Sequence, residues 1–207
     1  MSATLAVLIS GRGSNMLAID DACRSGRLDA RVALVVSNRP EAPGLAAARA
    51  RGLATATVDD REHGSRAAFD AALVRALEAA RPDWVALAGF MRVLGPEPVA
   101  RWRGRMVNIH PSLLPRHPGL DTHRRALEAG DAEHGASVHL VTEGLDAGPV
   151  IARERVPVLP GDDPESLGAR VLAREHDLYV RALATCLSGA APSVPYPSDD
   201  PPTPTPP

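Results

Sequence analysis

Asn108 and His110 are the two polar side chains in an otherwise apolar run, Met106-Val107-Asn108-Ile109-His110. The run reads as a short buried strand, on which residues two apart project to the same side. Pro111 has no N–H to give a ladder and ends it. An amide and a titratable imidazole are thus held together at a strand's end. Asn108 offers an N–H donor to a carbonyl oxygen that gains charge as its carbon turns tetrahedral. One such donor contributes ~3–4 kcal/mol to barrier lowering in comparable sites. His110 titrates near neutrality and can move a proton or, when charged, stabilise the same oxygen. Asp146 lies on a glycine-flexible turn, Thr142 to Gly148, from which its carboxylate can orient His110 and hold the imidazolium. The plainer alternative is a buried Asn and His that only satisfy loop backbone.

No Ser or Cys stands in a nucleophile-elbow pattern, which favours direct acyl transfer between two bound substrates. A metal is the competing use for His110 and Asp146. The 7 histidines include no HxH or HExxH pair, and no Cys accompanies them, so no zinc is expected.

The elements that must position these groups are legible in turn. Leu5 to Ile9 is an apolar strand, followed by Ser10-Gly11-Arg12-Gly13-Ser14-Asn15 and a helix opening near Leu17, with Ser14 or Asn15 as its expected N-cap. Strand, glycine loop and helix N-terminus form a ready anion site. The dinucleotide fingerprint is incomplete: Met16 takes the place of the third glycine, and the strand Val32 to Ser37 ends without an acidic residue. A phosphate monoester is the more economical ligand, and an unliganded turn the plainer one. Further strands are expected at Ala54 to Val58 and Trp84 to Leu87, with a helix from Ser65 to about Ala80. The apolar stretch Gly89-Phe90-Met91-Arg92-Val93-Leu94 then either walls a pocket for a flat heterocycle or packs on its own core. Ala136 to Val141 alternates with period two, and Val150 to Val156 returns antiparallel to it. Asp162 to Glu165 start a last helix that reaches about Leu187. The fold class is α/β: a Rossmann-like open, mostly parallel twisted sheet with helices on both faces and an antiparallel C-terminal strand region. Residues 1–189 are expected to form a single domain, and 190–207 a Pro-rich disordered tail. The loops at Gly11 to Asn15, Phe90 to Leu94, Asn108 to Pro115 and Asp146 should converge on one sheet edge.

Composition removes several function classes. A formal charge of −2 with mixed signs gives no electrostatic case for nucleic acid or an anionic membrane. No apolar run approaches a membrane span, and no signal peptide is apparent, so a cytoplasmic location is expected. There is no Lys, which excludes Schiff-base chemistry and a Walker-type phosphate loop, and no Gln. Asn15, Asn38 and Asn108 are the only carboxamides, all placed at or just after strand ends. The oligomeric state stays open, a homodimer included.

Asn108-Ile109-His110-Pro111-Ser112-Leu113-Leu114-Pro115, with Leu145-Asp146-Ala147-Gly148-Pro149-Val150-Ile151, resembles the folate-dependent formyltransferase family over about Leu5 to Leu187. The resemblance implies formyl transfer from 10-formyltetrahydrofolate, as co-substrate, to the amine of phosphoribosylglycinamide, with small molecules as partners and no metal. Carried over by position, Asn108, His110 and Asp146 are catalytic. Gly13, Ser14, Asn15, Glu175 and His176 would hold the ribonucleotide. Arg66, Met91, Arg92, Val93, Leu94 and Asn108 would line the folate pocket, and Ser112 to Pro115 would shape the active-site wall. Arg12 departs from a frequent Asn, and Asp121 from a His. Rival readings are a deformylase or methionyl-tRNA formyltransferase, disfavoured by length. A non-catalytic phosphate- or nucleotide-binding module is disfavoured by the Asn108, His110 and Asp146 set.

Overall fold

The computed structural model describes residues 2–193. Its frame is a 7-stranded sheet in the order β3-β2-β1-β4-β5-β6-β7. Strands β1 (Ala3–Ile9), β2 (Ala30–Ser37), β3 (Thr55–Thr57), β4 (Trp84–Leu87) and β5 (Met106–His110) run parallel. Strands β6 (Glu133–Leu140) and β7 (Val150–Pro157) complete it antiparallel. The expected fold class is thereby observed. The expected tail lies, from residue 194 onward, outside the described residues.

Period-two patterning builds two cores at once. Leu5, Val7 and Ile9 of β1 face α1 (Ser14–Arg24), α2 (Pro43–Ala50) and α6 (Pro164–Leu187). Ala6 and Leu8 face the other way, toward α3 (Arg66–Ala80) and α4 (Pro96–Arg101). Being covered on both faces, β1 is apolar from Leu5 to Ile9, as buried parallel strands are. Asp163 caps α6 in a reciprocal box with Ser166, and Ser65 caps α3. Deep in the core, the Tyr179 hydroxyl of α6 donates to the carbonyls of Leu87 and Val107 at 2.9 and 3.2 Å. That bond fixes α6 against the ends of β4 and β5, and so places Glu175, one turn earlier, beside the loop after β1.

Helix α1 departs from expectation. Its N-cap is Gly13, with φ +75, rather than Ser14 or Asn15, which are already helical. No side chain caps it, and its first turn holds no acid. The left-handed Gly13 turns the chain so tightly that a Cβ there would meet the Gly44 Cα at 3.2 Å. The first N–H groups of α1 therefore lack a side-chain acceptor, as an anion-binding terminus requires. Helix α4 has no counterpart among the expected elements, although Pro suits a first helical turn.

Candidate active site

The chain order reverses between β1 and β4, so their C-terminal ends open a crevice where open α/β sheets place ligands. Ser10 ties its two lips together. Its N–H donates to the Gly89 carbonyl at 3.1 Å, its hydroxyl donates to Asn38 Oδ1 at 2.6 Å, and the same oxygen accepts from the Met91 N–H at 2.7 Å.

Strand β5 presents Asn108 and His110 together because of its register. It pairs in parallel with β4 only as far as Leu87 opposite Asn108, and antiparallel with β6, where Asn108 faces His139 and His110 faces Ser137. Beyond Leu87 the β4 side is open, so Asn108 and His110 look into a cavity of 630 Å³. Asp146 reaches the same floor from the turn after β6, in a left-handed conformation with φ +50. Its Oδ2 lies 3.3 Å from His110 Nδ1 and accepts the Gly119 N–H at 2.8 Å. Its Oδ1 is 3.5 Å from both Asn108 Nδ2 and His139 Nε2. Gly148 lets this turn lie flat on β6, since a Cβ there would stand 1.7 Å from the Leu140 carbonyl oxygen.

The electrostatics of the pair are opposed. His110 Nε2 donates to the His117 carbonyl at 2.9 Å, while Nδ1 faces the Asp146 carboxylate. Two acceptors at one ring favour the imidazolium. Burial works the other way and wins, holding the His110 pKa below its ordinary value despite the His117 carbonyl and Asp146. Burial would raise the Asp146 pKa, but the neighbouring His139 ring, the Gly119 N–H and His110 bring it below the usual range. The site thus keeps a charged carboxylate beside an imidazole whose proton is weakly held, as a proton carrier needs.

The anticipated folate wall lines the cavity: Met91, Arg92, Val93 and Leu94, with Asn108 at its floor. Met91 and Val93 are 63% and 53% exposed, and Leu120 and Leu145 extend the apolar rim. A patch of that kind suits the face of a flat heterocycle. Arg92 turns back to pair with Asp60 at 3.0 Å and sits over the Phe69 ring. Arg66 does not line the cavity. Its guanidinium donates to the Leu94 carbonyl and lies 3.9 Å from Asp70, bracing the wall from behind. Ser112 to Pro115 also sit behind the site, because Ser137 fixes the loop through the Ser112 carbonyl and the Leu114 N–H.

The residues expected for the ribonucleotide lie on α1 with its N-cap and on α6, and none of them lines this cavity. Asn15 Nδ2 donates to Glu175 Oε2 at 2.7 Å across 160 positions of sequence. Asn15 Oδ1 and His176 Nε2 are buried without a partner. Burial pushes the Glu175 pKa up, with the Asn15 bond opposing it.

His139 lies on the floor as well, a place that sequence reasoning did not give it. Its Nδ1 donates to the Leu140 carbonyl at 2.9 Å, so Nε2 is the acceptor of the Asn108 amide at 3.2 Å. The signal was the alternation of Ser137 and His139, but only the strand pairing turns it into a contact. Behind the floor, His134 is bonded to His123 at 3.1 Å, and burial first, then neighbouring imidazoles, lower its pKa to about 4.

A histidine that stays neutral in the fold and charges when unfolded makes stability fall as pH drops from about 6.5 toward 4. His110 and His123 shift the same way. The shift to about 4 at His134 corresponds to at most roughly 3 kcal/mol. Urea unfolding across that window should show the decline, and His134→Gln should reduce it. A wild-type profile flat from pH 6.5 to 4 would contradict the assignment.

An Asn–His–Asp floor beneath an apolar slot, in a sheet whose helix α1 starts without a side-chain cap, is the arrangement of an acyl-transfer enzyme. The chain belongs to the formyl transferase family, whose profile matches residues 3–183. It is 51% identical to phosphoribosylglycinamide formyltransferase of Escherichia coli K12 over 175 residues, 84% of this chain and 82% of that protein. It is 49% identical to the Drosophila melanogaster trifunctional purine biosynthetic protein adenosine-3 over 189 residues, 90% of this chain but 14% of that longer protein. Glycinamide ribonucleotide transformylase 1 from Symbiobacterium toebii superposes with a TM-score of 0.89 at 46% identity, covering 90% of this chain and 88% of that one. Among the described residues, no helix is long and apolar enough to cross a membrane, and no group of three or more His, Cys, Asp or Glu could hold a metal ion.

Proposed function

We propose that the chain transfers the formyl group of 10-formyltetrahydrofolate to the amine of 5'-phosphoribosylglycinamide, giving the formylated ribonucleotide and tetrahydrofolate. It is a one-carbon transferase of purine biosynthesis. The observation that carries the residue assignment is the meeting of Asp146 with both Asn108 and His110 at 3.3–3.5 Å, on the floor of a cavity with an apolar wall.

Asn108 donates to the formyl oxygen as the ribonucleotide amine adds to the formyl carbon. For this its amide turns from His139 and Asp146 toward the substrate. The amine must then lose a proton and the folate nitrogen must gain one as its bond to the carbon breaks. His110 and Asp146 carry that proton. Met91 to Leu94 hold the folate ring by apolar contact, and Arg66 acts through the Leu94 carbonyl. On the other side, the N–H groups at Gly13, Ser14 and Asn15 take the phosphate, with Glu175 and His176 toward the glycinamide arm. We take residues 1–189 as the working unit, cytoplasmic, with small molecules rather than nucleic acid or membrane as partners, and with a homodimer as one open assembly.

Incubation with both substrates should consume the formyl donor and yield formylated ribonucleotide in equal amount. Donor loss without that product would point to a deformylase instead, and no loss at all would remove the reading.

A further inference from the structure

On the Nε2 side of His110 lies a His–Asp contact that the proposed reaction does not use. The acceptor of Nε2 is the main-chain carbonyl of His117, at 2.9 Å. His117 adopts φ +51, a left-handed conformation uncommon for a residue with a Cβ. Its side chain is pinned, since Nε2 donates to Asp131 Oδ2 at 2.7 Å. Asp131 is itself anchored just past α5 (Thr122–Glu128), where its N–H donates to the Ala126 carbonyl at 3.1 Å. Arg116 stands 3.5 Å from the other carboxylate oxygen, and its carbonyl accepts the Ser112 hydroxyl at 2.6 Å. The turn after Pro111 is thus tied down at the residue whose carbonyl meets the catalytic ring.

We infer that His117 and Asp131 are positioning residues, a clamp that fixes the His117 carbonyl on His110 Nε2 and so keeps Nδ1 turned to Asp146. The inference rests on the reading of His110 as proton carrier. An imidazole has two nearly equivalent ring orientations. An acceptor fixed on Nε2 selects the one that leaves Nδ1 to the carboxylate, as the orienting group of a triad selects tautomer and geometry. It also favours the charged ring. The groups that face His110 divide on this point. Asp146 and the His117 carbonyl favour the imidazolium, while His139 of β6 and Arg125 of α5 oppose it. His123 and His134 interact with it unfavourably as well. A loosened clamp therefore tips His110 toward the neutral form.

The test uses Asp131→Asn, which keeps an acceptor oxygen without the charge, and His117→Gly, which adopts the left-handed turn freely but loses the anchor. Steady-state kinetics and an NMR titration of the His110 ring are measured on both. The expected result is a kcat lower by about 10- to 100-fold, with KM for both substrates little changed. His110 should titrate at lower pH than in the wild type, and Asp131→Glu should recover part of the rate. Unchanged kcat, an effect confined to KM or to the melting temperature, or an unmoved His110 titration overturns the clamp. Full activity in His110→Ala, with the His110 titration still displaced in the two clamp variants, faults the proton-carrier reading instead and removes the clamp from catalysis.

Discussion

His110→Ala lowers kcat by about 10²- to 10⁴-fold, the range expected when a positioned proton carrier is lost. Both nitrogens of the ring are engaged, Nδ1 with Asp146 and Nε2 with the His117 carbonyl, so no other imidazole can take its place without rebuilding the turn. His139 is near but already donates from Nδ1 to the Leu140 carbonyl and accepts the Asn108 amide. Affinity for the ribonucleotide should persist, because Gly13 to Asn15 and Glu175 lie outside the cavity that His110 lines. Calorimetric titration of the ribonucleotide, beside single-turnover rates, separates the two effects. Turnover within a few-fold of wild type would remove His110 from the mechanism.

Asp146→Asn is the second large effect, expected at about 10²- to 10⁴-fold in kcat by analogy with triads whose carboxylate becomes an amide. The substitution is nearly isosteric, and the remaining oxygen can still accept the Gly119 N–H. What disappears is the charge facing His110 and His139. His110 then loses a group that favours its imidazolium, so its limb in a plot of log kcat against pH moves toward acid. Stability carries its own sign. The Asp146 carboxyl titrates below its ordinary value in the fold, so its contribution is present above about pH 4 and fades as pH falls through the folded value. Wild type and variant should therefore converge in stability in acid and separate near neutrality. Equal rates, or a gap in stability that widens in acid, would refute the role.

Much of this site is written locally. Asn108 and His110 lie on one side of a five-residue strand by periodicity alone, and the glycine loop, the capping run at Asp163 and the period of β6 each announce their element. The trio needed one further step, because Asp146 is 38 positions from Asn108 and no local rule joins them. The expected convergence of the strand-end loops on one sheet edge makes that join, and the family resemblance repeats it. What stayed hidden depends on pairing across the sheet. His139 meets Asn108 because β5 and β6 are antiparallel in one particular register, and a slip of one residue would turn it to the other face. Arg66 illustrates the opposite difficulty. A cation next to a pocket can serve the ligand or the wall, and periodicity does not show that its guanidinium donates to the Leu94 carbonyl. The N-cap of α1 is Gly13 rather than a side-chain cap for a similar reason. Ser and Asn are the ordinary caps, but a helix that must leave its first N–H groups open starts better on a left-handed glycine.

The two outermost strands have a consequence for the protein at high concentration. One margin of the sheet is β3, only three residues long, and the other is β7, which carries Arg153, Glu154 and Arg155 and finishes at Pro157. A short margin offers few free backbone groups to a passing strand. A charged one that stops at a residue without an N–H makes pairing costly on the other side. Both ends of the sheet are therefore poor templates for a neighbour's strand, and crowded or partly warmed samples should resist fibre-like association through them.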